Sequence, residues 1–216
     1  MGDLITPDTP GLLAVAFLVG IVIGLTGMGG GALMTPALIF LGIPPTAAVA
    51  NDLVAAAVNK SVGAAVHYKH GSPNLKLAKW LILGSVPMAF AGAWIIAAVG
   101  EPEDQQAFLK KAIGFALLLT ASTFTFRIYL EMRRGDYTDE NRPDPAVKPI
   151  PTLIVGAIGG LLVGLTSVGS GSLIMISLLL LYPTLSARRL VGTDLVQAIP
   201  LVMSAAISHV LVTGMD

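Results

Sequence analysis

Long apolar stretches separated by short polar turns make up most of the chain. No Asp, Glu, Lys or Arg occurs in Gly11–Asn51, Trp80–Gly100, Ala112–Phe126 or Pro149–Ala187. Each of these spans contains an apolar run near the roughly 20 residues that a membrane helix needs. The runs are apolar on all sides, whereas a helix at the surface of a soluble protein keeps a polar face. The pattern therefore predicts an all-α polytopic membrane protein.

The apolar runs and the turns between them predict eight helices. In chain order they cover Gly11–Thr26, Ala32–Leu41, Ala47–Val66, Trp80–Val99, Ala107–Leu130, Thr152–Thr166, Leu173–Leu181 and Ser186–Ser208. The second and seventh are too short to cross a bilayer at about 1.5 Å per residue. Pro44 and Pro45 predict a turn, with Thr46 as the N-cap of the third helix. We expect a basic loop at His67–Lys79 and an acidic turn at Gly100–Gln106.

Composition narrows the class further. Hydrophobic residues make up 54% of the chain and charged residues 12%, against about 25% charged in soluble domains. A formal net charge of zero argues against a nucleic-acid partner, which requires a basic face. The chain has no Cys, which excludes disulfides and thiolate metal sites. It also has no HExxH motif or clustered ligands, so we predict no metal and no cofactor.

One glycine-rich motif occurs twice. Gly24–Leu33 returns as Gly164–Leu173, and each occurrence interrupts an apolar stretch. At the same offset of about 140 residues, Gly20 matches Gly160. Such glycine pairs commonly allow two helices to pack closely. A break of this kind at matching places in two halves of a membrane protein is also the best sequence indicator of a transporter binding site.

The correspondence continues beyond the glycines and divides the chain. After a two-residue shift in the turn, Asp52 matches Asp194 and His67 matches His209. We therefore predict a tail at residues 1–10, a first repeat at 11–130 (copy one), a linker at 131–150 and a second repeat at 151–216 (copy two). Copy two has no counterpart of the last two spans of copy one. We expect the natural protein to carry about 55 further C-terminal residues, the length of two spans and a turn.

The positive residues predict the orientation. Lys69, Lys76 and Lys79 follow the third segment of copy one, whereas Arg188 and Arg189 precede the third segment of copy two. Because positive loops stay in the cytoplasm, the two copies would thread in opposite directions, as inverted-topology repeats do. We expect an extracytoplasmic N-terminus, a cytoplasmic linker and a place in the plasma membrane, the inner membrane of a bacterium. The tail Met1–Pro10 has no Lys or Arg, so the first apolar stretch does not look like a signal peptide.

A family resemblance rests on these same motifs. The Gly-Leu-Thr-Gly-x-Gly-Gly-Gly run from Gly24, the proline turn with Asn51 behind it, the loop from His67 to Gly71, and the repetition of the pattern resemble the sulfite exporter TauE/SafE family. The resemblance implies a membrane permease associated with export of sulfite or organosulfonate anions. Copy two departs from the glycine pattern with Ser167, Ser170 and Ser172, and Asn51 stands where the family usually has Thr.

The breaks are the candidate anion site. A helix that restarts after a break presents backbone N–H groups with partial positive charge, and these hold anions. Hydroxyl and amide side chains beside them would add donors. The candidate substrate-binding residues are Thr26, Gly29, Gly30, Gly31, Asn51, Asn59, Lys60, Thr166, Gly169, Ser170, Gly171, Ser172 and Thr193. The alternative is that the glycines only allow close packing.

Four titratable residues are candidates for coupling or gating. Asp52 and Asp194 are expected in the first turn of the third helix of each copy, as helix caps or as carboxylates on a proton path. His67 and His209 either titrate during transport or cap a helix end. Lys60 either snorkels to the membrane surface or points inward as a cation for the substrate. Asn59, seven residues from Asp52, is expected on the same helix face.

These residues favour a secondary transporter over two alternatives. The first alternative is a passive anion channel, and the second is an intramembrane serine hydrolase that uses Ser170 and His209. The hydrolase is weakened because the counterpart of Ser170 is Gly30 and no Gly-x-Ser-x-Gly motif is present. The predicted partners are a small anionic substrate, the lipid bilayer, and a proton or other ion for coupling. The glycine-rich faces also permit a homodimer.

Overall fold

A computed structural model describes residues 9–26, 30–69, 73–134 and 145–213. Within these ranges the chain is helical and contains no strand. The helices are α1 Thr9–Thr26, α2 Met34–Phe40, α3 Pro45–Lys69, α4 Leu75–Ala97, α5 Pro102–Arg134, α6 Pro149–Thr166, α7 Leu173–Leu181 and α8 Ala187–Thr213. A single 3-10 turn at Gly30–Ala32 precedes α2. The predicted order of long and short helices is confirmed.

Four of the described helices are long and apolar enough to cross a membrane. They are α4, residues Pro102–Phe126 of α5, α6, and residues Ala187–Val212 of α8. Large apolar side chains such as Phe17, Leu118 and Ile150 lie at 70–73% exposure on the outer surface, where hydrocarbon rather than water would solvate them. The prediction of an all-helical polytopic membrane protein is confirmed.

Two predicted turns are wrong because the helices begin earlier than expected. The Asn74 side chain accepts a hydrogen bond from the Leu77 backbone N–H at 3.0 Å and starts α4 five residues before Trp80. Lys76 and Lys79 therefore belong to a helix rather than to a basic loop. Similarly, α5 begins at Pro102 with two acidic residues in its first turn, where proline and negative charge both favour a helix start.

The start of α3 also differs from the prediction. The helix begins at Pro45, so Thr46 lies inside it and is not the N-cap. Proline at the first helical position has no N–H to leave unpaired, which makes it a favourable starting residue.

At the predicted linker, α5 continues to Arg134 and α6 already begins at Pro149. Residues 135–144 between them lie outside the described part of the chain.

The tightest helix contact joins α4 to α6 through small residues. A Cβ added to Gly160 would meet the backbone of Ser85, one on Gly164 would meet the backbone of Ala89, and one on Gly156 would lie 2.5 Å from the Leu81 carbonyl oxygen. The three glycines recur every four residues and so form one row on α6. Close packing is therefore confirmed for Gly160 and Gly164.

The apolar core lies where α3, α4, α7 and α8 meet. Leu53, Leu81, Ile174 and Leu201 have no exposed surface. The short helix α7 is buried along most of its length, because α5, α6 and α8 all contact it. A nine-residue helix held inside a bundle places its N-terminal end, and the break before it, within the protein.

Candidate functional site

The two breaks meet in the interior of the protein. The 3-10 turn Gly30–Ala32 forms the first break, and Ser167–Ser172 between α6 and α7 forms the second. A Cβ added to Gly31 would collide with the Ser167 carbonyl oxygen and lie 2.8 Å from the Val168 nitrogen. Backbone therefore packs directly on backbone, and only glycine fits at Gly31. Gly29 lies outside the described residues, as does the side chain of Thr26.

The second break is closed by its own hydrogen bonds. The Thr166 hydroxyl donates to the Leu162 carbonyl at 2.7 Å and accepts from the Val168 N–H at 3.1 Å. Ser167 has a φ of 59° and Gly169 a φ of 111°, and this left-handed backbone turns the chain after α6. Thr166 thus ends the helix, and its hydroxyl is already engaged in the structure.

The serines of the second break are buried beside α5. Ser170 and Ser172 are each only 5% exposed, and Gly169 and Gly171 are buried with them. The Ser172 hydroxyl donates to the Thr120 hydroxyl at 3.4 Å. Thr120 was not among the site residues predicted from the sequence. The sequence feature that could have identified Thr120 is its place as a polar residue in the middle of the charge-free stretch of α5.

Asp52 lies at the junction of the two breaks. Its Oδ2 accepts a hydrogen bond from the Thr35 hydroxyl at 3.0 Å, and the Ser167 side chain is a second hydrogen-bond partner. Its Oδ1 lies 2.8 Å from the place where a Cβ on Gly30 would be. The carboxylate therefore touches the first break and bonds to the second. Thr35 was missed, although it is the single polar side chain of α2.

The expected capping role of the two aspartates is wrong. Asp52 lies seven residues after the first residue of α3, and Asp194 seven residues after the first residue of α8. Helix-dipole and capping effects are confined to the first turn. Both carboxylates are almost fully buried. A buried carboxylate must be balanced by hydrogen bonds or a cation.

Lys60 supplies positive charge near Asp52. It is 7% exposed and lies about two helical turns after Asp52 on α3. Asp52 and Lys60 share one row of buried residues at four-residue spacing with Ala48, Ala56 and Ala64. The inward orientation is therefore the observed one, rather than snorkelling to the surface.

Asn51 and Asn59 lie on the outside of α3. Both side chains are exposed. Asn59 lies on nearly the same side of α3 as Asp52, because seven residues make about two helical turns, but unlike Asp52 it is not buried. The buried face of α3 follows the four-residue row, which is the row that packs into the groove of a neighbouring helix. That row winds around the helix by about 40° at each step, so at the level of Asn59 the buried side has moved away from the direction of Asp52 and Asn59 is left exposed.

Asp194 has different surroundings from Asp52. Gln197 Nε2 donates to its Oδ1 at 3.1 Å, and Ser85 on α4 donates to Gln197 Oε1 at 3.4 Å. The neighbouring Thr193 hydroxyl donates to the Arg189 carbonyl and accepts from the Asn74 N–H at 2.9 Å. Thr193 therefore ties α8 to the first residues of α4. Gln197, a fully buried amide, was not among the site residues predicted from the sequence.

The two histidines occupy unlike positions. His209 is 1% exposed, and its Nε2 lies 2.8 Å from the Gly164 carbonyl oxygen. Its own helix continues to Thr213, so His209 joins α8 to α6 and does not cap a helix end. His67 is partly exposed and lies in the last turn of α3. In the described ranges, no group of three or more His, Asp or Glu residues has metal-binding spacing.

Comparisons with known proteins show what this chain is similar to. Residues 12–216 match the model of the family described as Sulfite exporter TauE/SafE. The probable membrane transporter protein YjnA of Bacillus subtilis (strain 168) is 35% identical over 206 residues, 95% of this chain and 80% of the relative. The probable membrane transporter protein YdhB of the same organism is 28% identical over 204 residues, 92% of this chain and 78% of the relative. No solved structure matches the chain.

Proposed function

Since the chain belongs to the sulfite exporter TauE/SafE family, whose named relatives are membrane transporters rather than enzymes, we propose that it is a secondary transporter of small oxyanions. The substrates would be sulfite, sulfonates or related organic acids. The anion is held at the two helix breaks, and alternating access about these breaks moves it across the membrane. The two copies act as inverted-topology repeats in this proposal, with the N-terminus outside the cytoplasm.

The observation that carries the proposal is the meeting of the two breaks around hydrogen-bond donors and a cation. Non-helical backbone at membrane depth survives only where it lines a cavity or is buried in protein. Here the buried breaks bring together the hydroxyls of Thr35 and Ser167 around Asp52, and Lys60 is buried about two turns further along the same helix. Hydroxyl donors and a cation in a site shielded from water are what an oxyanion requires. The N-terminal end of α7 adds the partial positive charge of a helix start.

Coupling to an ion gradient is a further part of the proposal. Asp52 and Asp194 are buried carboxylates, and His209 is a buried imidazole. Ionisable groups inside a membrane protein commonly mark ion or proton paths. We propose that a proton or another ion moves with or against the anion through these groups, with His67 gating from the end of α3.

Flux measurements test this function directly. Purified protein in proteoliposomes is supplied with radiolabelled sulfite, taurine or sulfoacetate, with and without an imposed proton gradient. We expect saturable flux of at least one anion that responds to the gradient. Linear flux together with single-channel currents would instead indicate a passive channel. The absence of flux for all three anions would contradict the assignment to sulfur oxyanions.

Two glycine substitutions connect the flux to the breaks. Gly31→Ala places a methyl group against the Ser167 backbone, whereas Gly20→Ala points into open space. We expect Gly31→Ala to abolish saturable flux in protein that still inserts into the membrane. Gly20→Ala serves as the matched control and should transport normally. Normal flux by a correctly inserted Gly31→Ala protein would disprove the role of the breaks.

A further inference from the structure

The space between Gly30 and the second break is here called the anion seat. Its walls are Gly30, the hydroxyls of Thr35 and Ser167, and the side of α3 that carries Lys60. In the structure this space holds the carboxylate of Asp52, which is 1% exposed. Gly30 leaves room for it, because a Cβ there would stand only 2.8 Å from Oδ1.

We propose that Asp52 is an internal competitor for the substrate, occupying the anion seat until a substrate anion displaces it. The inference rests on the proposed function, since it assumes that the transported anion uses this seat. Asp52 already takes the donors that an oxyanion would take, one from α2 and one from the second break. A carboxylate is also the same kind of ligand as an organic acid or a sulfonate, with oxygen atoms that only accept hydrogen bonds.

Electrostatic repulsion prevents the substrate anion and the Asp52 carboxylate from occupying the anion seat together. Two anions in one buried site with a single neighbouring cation repel each other strongly, because the interior screens charge poorly. The hydroxyls of Thr35 and Ser167 each have one proton to donate. A bound substrate that takes those protons leaves the Asp52 carboxylate without donors. The two anions therefore exclude each other, and substrate entry requires the Asp52 side chain to leave.

Copy two does not reproduce the seat. The counterpart of Gly30 is Ser170, which carries a side chain where copy one leaves room. The counterpart of Asp52 is Asp194, which accepts from Gln197 on its own helix. The carboxylate at the related position thus takes an amide donor of α8, and that amide in turn accepts from Ser85 of α4. Asp194 is therefore the matched control for every test of Asp52.

The first test measures whether an anion from solution binds in the anion seat once the Asp52 carboxylate has been removed. Asp52→Ala empties it, and Asp194→Ala removes the repeat-related carboxylate. Each full-length protein is purified in detergent and heated with increasing sodium acetate, against sodium chloride at equal ionic strength. We expect acetate to raise the unfolding temperature of Asp52→Ala in a saturable way. The wild type and Asp194→Ala should show no such shift, and sulfoacetate should compete with acetate in Asp52→Ala.

The second test uses the isosteric change Asp52→Asn, which keeps the volume of the side chain and one acceptor oxygen but replaces the other oxygen with an NH2 donor. Removal of the competing charge should lower the apparent Kd for sulfite or sulfoacetate about tenfold, measured by titration calorimetry. If Asp52 were only a structural partner of Lys60, Asp52→Asn would bind these anions more weakly. Weaker or unchanged binding overturns the inference.

The outcomes separate this inference from the proposed function. If the wild type transports a sulfur oxyanion while Asp52→Asn shows unchanged affinity, the internal-competitor role fails and the transporter assignment stands. If acetate refills Asp52→Ala and no sulfur oxyanion binds any variant, the seat stands and the substrate class fails. If neither acetate nor a sulfur oxyanion binds Asp52→Ala, the seat is disproved.

Discussion

The two copies of the repeated sequence have different surroundings, although their patterns match. In copy two, the glycine row of α6 packs against the backbone of α4. In copy one, the corresponding Gly20 of α1 has nothing within 4 Å of an added Cβ, and α1 exposes large side chains such as Phe17 and Leu18. The surroundings of Gly24 lie outside the described part. At the matched positions 20 and 160, both of which the structure describes, glycine is therefore a packing requirement only at Gly160.

The third helices show the same contrast. On α8, Ser204 donates to the Val86 carbonyl at 3.0 Å and Ser208 donates to the Phe90 carbonyl at 2.5 Å, both on α4. The corresponding residues of α3 are Val62 and Val66, which are 64% and 52% exposed. A hydroxyl stabilises a helix contact where a neighbouring backbone carbonyl accepts its hydrogen bond, whereas an apolar side chain is favourable on a face that contacts lipid. The sequence of each copy is thus adapted to its own neighbours.

The largest expected effect comes from bulk in the glycine row. Gly160→Leu pushes a side chain into the backbone of α4, so we expect a loss of more than about 3 kcal/mol of folding stability and little monodisperse protein. Gly20→Leu is the matched change in copy one and should leave the unfolding temperature close to that of the wild type. Thermal unfolding with size-exclusion chromatography measures both. Equal losses in the two variants would refute the contrast between the copies.

Next in size are changes beside the two aspartates. Gln197→Ala leaves the buried Asp194 without one of its donors, and we expect a cost of about 1–3 kcal/mol in stability.

Lys60→Gln removes the cation near Asp52 and should raise the KM for the transported anion about tenfold. Ser61→Ala is the control for Lys60, because that exposed hydroxyl only bonds the Ala57 carbonyl of its own helix. An unchanged KM in Lys60→Gln would restrict Lys60 to a structural role.

A reciprocal exchange on α3 and α8 should have the smallest effect. Ser204→Val loses one hydrogen bond to α4, worth about 0.6 kcal/mol between membrane helices. Val62→Ser acts on an exposed position and should change the stability by less than about 0.5 kcal/mol. Chemical unfolding in mixed micelles resolves the pair when both variants are measured side by side. A larger loss from Val62→Ser would show that α3 has a partner at this face.

The sequence correctly indicated the helical membrane class, the order of long and short helices, and the two breaks. These features depend on local signals, since a charge-free run of sufficient length or a cluster of glycines has the same meaning wherever it occurs. The bounds of α7 at Leu173–Leu181 were predicted without error. The starts of α4 and α5 were missed because the N-cap Asn74 and the helix-starting Pro102 extend those helices into polar residues before their apolar runs.

The sequence by itself determined that the chain is a helical membrane protein, that it belongs to the sulfite exporter TauE/SafE family and that it is interrupted twice. Only the tertiary structure decided that the breaks touch, that Asp52 lies between them with Thr35 and Ser167, and that Asn59 turns away from Lys60. These facts depend on which helices meet and which row of each helix faces inward. Contacts of that kind join residues far apart in the chain, and a local pattern carries no information about them.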